Sequence, residues 1–234
     1  MTAQEGEIIG LSLKVALLSV LASLPIAILA AHMLVRRNFM GKSLLDATIH
    51  LPLVLPPVVV GYFLLLLLGR TGPLGAWLEE WFGVVVAFRW TGAAVACAVM
   101  GFPLMVRAIR LSIEAIDPKL EDAAETLGAS RVAVFVAVTL PLAAPGIVTG
   151  TLLSFARSLG EFGATITFVS NIPGETQTLP LAIYALTQVP GGDAQALRLC
   201  VISIVLSLAA LLVSDALVRR ASRRVLGYDA VGRD

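Results

Sequence analysis

The 234-residue chain is 58% apolar and only 14% charged, against about 45–50% and about 25% in soluble domains. So few charges cannot cover a water-facing surface, and a mean hydropathy of +0.91 points to a polytopic membrane protein. A balance of 17 basic and 16 acidic residues, net charge +1, excludes a basic footprint for nucleic acid, and Cys97 and Cys200, both inside apolar runs, suggest no disulfide framework.

A membrane-crossing helix needs about 20 predominantly apolar residues. Residues 1–10 read as a short external N-terminus, and Val15–Val35 as the first span, bent by Pro25. A secretory signal is disfavoured there, because Glu5 and Glu7 precede the run and the basic pair Arg36–Arg37 follows it. Leu51–Gly69 is the second predicted span, and its Pro52, Pro56 and Pro57 remove helix hydrogen bonds and kink it, for packing or for a gate. Leu74–Phe88 contains Glu79 and Glu80 and reads as an interfacial helix, with Trp77, Trp81 and Trp90 at headgroup level. A sixth embedded piece there, or at Leu179–Gln188, is the alternative. Thr91–Val106, bent by Pro103, is the third span. Pro145–Ser170 is the fourth, despite Arg157 and Glu161 in its middle, and Leu199–Val218, with Asp215 near its end, is the fifth. The predicted fold is an all-α transmembrane bundle of about five spans over residues 11–218, followed by a basic tail over 219–234.

Lysine and arginine orient such a chain. Arg36, Arg37 and Lys42 follow the first span; Arg107, Arg110, Lys119 and Arg131 follow the third; Arg219, Arg220, Arg223, Arg224 and Arg233 follow the fifth. These are 12 of the 17 basic residues. The expected topology therefore has the N-terminus outside and the C-terminus in the cytoplasm.

The cytoplasmic loop over 117–141 carries its own punctuation. Asp117 is an N-cap with Pro118 at the first helical position, Gly128 is placed to stop that helix, and Ser130 caps a second helix running to about Leu140, before Pro141. Leu120, Ala123, Ala124 and Leu127 fall at i, i+3, i+4 and i+7, a narrow apolar stripe. Lys119, Glu121, Asp122, Glu125 and Thr126 take the other face. The stripe fits either a helix resting on its own bundle or one offered to the groove of a soluble partner.

Ionisable residues inside a span are functional candidates by default. At roughly 100° per residue, Gly150, Thr151, Ser154, Arg157, Ser158, Glu161 and Thr165 share one sector of the fourth span, and Arg157 and Glu161, four apart, can pair. That face suits a water-lined path or a packing interface of small residues. A motor is not encoded here. Gly41-Lys42-Ser43 ends like a phosphate-binding loop, but the required earlier glycine is Arg36 and no strand precedes it. No catalytic set stands out, since His32 and His50 occur singly at membrane edges.

Asp122-Ala123-Ala124, three residues, Gly128, nine residues, then Val138-Thr139-Leu140-Pro141 resembles the coupling signature of ABC importer permeases, with Asp122 where that family carries glutamate. Leu51–Tyr62 and Arg157–Tyr184 resemble the second-span and fourth-span stretches of the molybdate branch. Together the resemblance covers residues 11–218. It implies that Asp117, Glu121, Asp122, Ala123, Ala124, Leu127, Gly128 and Pro141 serve docking to a cytoplasmic ATPase dimer. It further implies a permease homodimer in the cytoplasmic (inner) membrane, fed by an external molybdate-binding protein, with no cofactor bound directly and ATP hydrolysed on the separate subunit. Pro56, Pro57, Gly61, Thr151, Ser154, Arg157, Ser158, Glu161 and Thr165 are then the expected translocation path. A sulfate or tungstate importer is the nearer alternative, and an intramembrane enzyme or sensor using Arg157 and Glu161 the farther one.

Overall fold

Thr2 and Glu5 decide where the chain becomes helical. In the computed structural model, which describes residues 2–230 (side chains through Val213 and at Ala216), the Thr2 hydroxyl accepts the Glu5 N–H and the Glu5 carboxylate accepts the Thr2 N–H. This capping box starts α1 (Ala3–Arg36). The segment expected as a short N-terminal arm is thus helical from Ala3, with Ile8 and Ser12 already buried.

The second expected span is two helices. α2 (Lys42–Val54) and α3 (Pro57–Leu68) meet at 116° across Leu55 and Pro56. Two consecutive prolines remove two N–H donors, and a residue before proline is pushed out of the α region. Leu55 and Pro56 are accordingly extended, with ψ of 143° and 133°. The halves join different cores. Ile49 of α2 packs with Leu34, Ile109 and Ile113, whereas Val60 of α3 packs with Val15, Ala93, Met100 and Phe168.

α4 (Pro73–Phe82) is the short helix expected to lie at the interface, with Trp77, Trp81 and Phe82 exposed along one side. α5 (Trp90–Glu114) outruns the expected third span because the helix continues past Arg107 and Arg110 after its apolar stretch ends. α6 (Pro118–Thr126) and α7 (Arg131–Leu142) form the hairpin anticipated at 117–141. α7 widens into a π-helical stretch over Phe135–Thr139, just before Pro141. A proline has no N–H and crowds the carbonyl four residues earlier, and the wider turn relieves both.

After a 68° bend α8 (Ala144–Leu159) begins. The fourth expected span is not continuous, because the helix stops at Gly160 and restarts as α9 (Gly163–Val169). α10 (Leu179–Thr187) is a short helix rather than a span. α11 (Asp193–Ala230) contains the fifth. The side chains of Asp215 and of the basic residues expected at 219–234 lie outside what is described. Among the described residues three helices are long and apolar enough to cross a membrane, and the number of spans rises to as many as five if each bent pair, α2–α3 and α7–α8, counts as one. This is the all-α bundle of about five spans that the composition predicts.

α5 is the hub, packed along α1 and α8. The α5–α8 approach is close because glycines face side chains. A Cβ at Gly101 would collide with Ser154 Oγ, and one at Gly146 with Ser112 Cβ. Small residues at such crossings let helices gain van der Waals contact where lipid supplies no hydrophobic driving force.

Candidate functional site

Two places concentrate the residues singled out in the sequence. The first is the hairpin. Asp117 Oδ1 accepts the Lys119 N–H at 3.0 Å and Ser130 Oγ the Ala133 N–H at 3.3 Å, so each helix carries its own N-cap. Gly128 has φ +90°. The Ala129 N–H reaches back to Ala124 O (3.1 Å) and the Gly128 N–H to Glu125 O (2.9 Å), closing α6 by a left-handed cap.

No residue of α6 is buried. Leu127 is 89% and Leu120 51% exposed, with Ala123 also exposed and Ala124 half-buried. The apolar stripe therefore does not rest on this chain's own bundle. Asp122 points outward too, whereas Glu121, expected on the same polar face, turns inward. Its Oε2 lies 2.7 Å from Arg36 Nε, and its Oε1 accepts the Thr139 hydroxyl at 2.6 Å. Pro141 sits at the exposed surface of α7.

The second place is the seam around α8. Arg157 Nη1 and Glu161 Oε2 are 2.6 Å apart, as the i, i+4 spacing predicts, and their side chains are 28% and 1% exposed. Glu161 does more than pair. Its Oε1 accepts the Ala164 N–H at 2.7 Å, so one carboxylate caps the restarted helix α9 across the Gly160 break. Ser158 Oγ donates to Ser154 O and lies 3.1 Å from Ser19 Oγ of α1. Ser154, Ser158 and Thr165 are buried within the chain, and Thr151 is half-buried, bonded to Ile147 O. Thr165 donates to Phe162 O on the separate short helix, so it does not continue the α8 face. Pro56 and Pro57 sit at the α2–α3 break, exposed and half-buried. Gly61 is buried where α3 meets α9, and a Cβ there would lie 2.5 Å from Ala164 O.

Three partnerships were invisible in the sequence. Lys14 Nζ sits 3.6 Å from the centre of the Trp90 ring, a cation–π contact joining α1 to α5. His32 stacks edge-on against Phe135 at 4.8 Å. Arg110 bridges Asp46 (3.0 Å) and Glu114 (2.8 Å), tying the otherwise poorly buried α2 to α5.

The molecule is thus an apolar bundle with bent helix pairs and, at one end, a capped hairpin whose first helix buries none of its residues. A bacterial ABC transporter involved in the import of the acidic polysaccharide alginate has this fold, with a TM-score of 0.74 at 21% identity, over 94% of this chain and 80% of that one. Residues 23–225 match the family described as binding-protein-dependent transport system inner membrane component, and the chain belongs to it. It is 60% identical over 224 residues to the molybdenum transport system permease protein ModB of Escherichia coli (strain K12), covering 96% of this chain and 98% of that protein. To the sulfate transport system permease protein CysT of the same strain it is 40% identical over 206 residues, covering 86% and 72%.

Proposed function

We propose that this permease carries molybdate across the cytoplasmic membrane, with ATP hydrolysed on a separate subunit. The observation that carries the substrate is the near-full-length 60% identity to a molybdenum permease, against 40% to a sulfate permease. Two copies rock between inward- and outward-facing states, an external binding protein delivers the anion, and the chain itself binds no cofactor. The N-terminus lies outside and the C-terminus inside, since the basic residues mark the cytoplasmic side. That places the hairpin on the same side as the ATPase, and its unpartnered Leu120 and Leu127 supply the apolar ridge for docking.

The translocation path runs where Pro56, Pro57, Thr151 and Arg157 are accessible, with Ser154, Ser158, Glu161 and Thr165 packed behind it. Glu161 tempers Arg157, so a passing oxyanion meets hydrogen-bond donors without a strong cationic trap. Expression of the chain with its ATPase and binding protein in a strain lacking molybdate import should restore growth at limiting molybdate. Tungstate should compete and sulfate should not. Failure to restore growth refutes the importer, and equal competition by sulfate refutes the anion assignment.

Gly128→Val tests the hairpin corner. A Cβ has open space there, but φ +90° is strained for a β-branched residue, costing about 1–3 kcal/mol. Opening the corner misaligns the two helices, and retention of the ATPase subunit should fall roughly tenfold, equivalent to about 1.4 kcal/mol. Unchanged retention in a co-purification assay would refute a docking role for this corner.

A further inference from the structure

Accepting the docking role just proposed, we propose that Arg36 and Glu121 form the joint through which the hairpin moves the bundle. α6 buries nothing and packs mainly on α7. Among the described residues its polar side-chain contacts with the rest of the bundle run through Glu121, and that side chain is only 14% exposed. The Arg36 guanidinium closes the last turn of α1 onto two other elements, α6 and the end of α5. Its Nε meets Glu121 Oε2 at 2.7 Å, and its Nη2 donates to Ile113 O and Ile116 O, both at 3.3 Å, at the end of α5. The second oxygen of Glu121 takes the hydroxyl of Thr139, which is 1% exposed and lies on the π-helical stretch. Four elements thus meet at one charge-assisted knot: α1, α5, α6 and α7.

The surroundings favour transmission over static glue. Asp122 and Glu125 on the same helix make no ion pair among the described residues and stay free for a partner, so α6 divides its carboxylates between docking and anchoring. A cavity of about 340 Å³ opens beside the knot, lined in part by His32, Arg37, Glu125 and Phe135, which leaves room for the hairpin to shift. The π stretch is a site where a helix can rewind without losing all its bonds. Because α5 packs more extensively on α1 and on α8 than any other two helices pack on each other, a pull on Glu121 reaches the core of the bundle directly. Arg36 and Glu121 are positioning residues: neither touches the anion or ATP.

The test uses the complete transporter in liposomes, with the ATPase subunit and molybdate-binding protein present. Glu121→Gln, Arg36→Gln, Thr139→Val and the Glu121→Gln/Arg36→Gln double variant are each scored for ATPase retention, ATP hydrolysis and molybdate uptake. The expected result is retention within twofold of the unmodified complex, with uptake per ATP hydrolysed at least tenfold lower in each charge variant. The double variant should be no worse than the poorer single, since both remove the same joint. Arg36→Lys keeps the charge without the fork and should recover part of the coupling. Glu121→Gln and Thr139→Val keep side-chain size and decide the matter even where an Arg36 variant does not fold. An uptake-to-ATP ratio within twofold of normal in Glu121→Gln overturns the joint. So does loss of ATPase retention, which would make Glu121 a docking contact, or multiplicative losses in the double variant. An unmodified chain that retains no ATPase subunit would refute the docking reading itself, and the joint with it.

Discussion

Replacing Leu127 by aspartate is expected to weaken capture of the ATPase subunit by more than about 100-fold while leaving the permease folded. Leu127 is 89% exposed, so its side chain contributes little to the chain's own stability. Burying a leucine side chain against a partner gains about 1.5–3 kcal/mol, and an unpaired buried polar group costs about 1–3 kcal/mol. The two effects add in the same direction. The residue also sits at the C-cap of α6, where the Leu127 N–H bonds to Ala123 O. Aspartate keeps that backbone bond, so hairpin geometry survives. Leu120, 51% exposed one face-length away, should give a smaller effect when changed to aspartate. Co-purification from membranes at fixed detergent, together with the thermal midpoint of the permease alone, separates docking from folding. Undiminished capture would mean that the stripe faces something other than the ATPase.

The hairpin was readable because its signals are local. Asp117-Pro118, Gly128 and Ser130 each act on the backbone within a few residues, and all three act as their residue types require. The breaks in the second and fourth spans were harder for a reason that lies in how apolar runs are read. An apolar window averages over Leu51–Gly69 whether the chain continues or turns. Pro56-Pro57 announces a kink but not its 116°. Gly160 announces even less, since one glycine in an apolar helix is ordinary; the Glu161 carboxylate that accepts the Ala164 N–H at the break makes a bond available only once the helix has stopped.

Charge partners across helices were the least legible. Arg36 read as one of several basic residues marking the cytoplasmic side, and Glu121 as one of several acids on a solvated face. Only packing brings α1 and α6 together and separates Glu121 from Asp122. The seam shows the same limit. Periodicity grouped Ser154, Arg157 and Ser158 on one face of α8, but it could not say that Gly101 and Ser19 from α5 and α1 would cover most of that face.

Ser154→Leu is therefore expected to disrupt the bundle, not simply to block a path. Ser154 is completely buried, and the facing position on α5 is Gly101, where even an added Cβ would strike Ser154 Oγ. Leucine extends further into the same contact. Overpacking of this kind costs about 1–3 kcal/mol, occasionally more. The facing residue is already glycine, so no smaller partner can make room and the cost should lie at the upper end. A fall in the thermal midpoint and loss of assembly should accompany loss of uptake. Ser154→Ala separates the two roles. The Ser154 hydroxyl is buried with no hydrogen-bond partner among the described residues, so its removal fits the space and should leave stability equal or slightly raised. If Ser154 only packs, the alanine variant transports molybdate at the normal rate. If its hydroxyl contacts the anion in any state of the cycle, that variant loses uptake while its thermal midpoint holds, and the path must then open between α5 and α8.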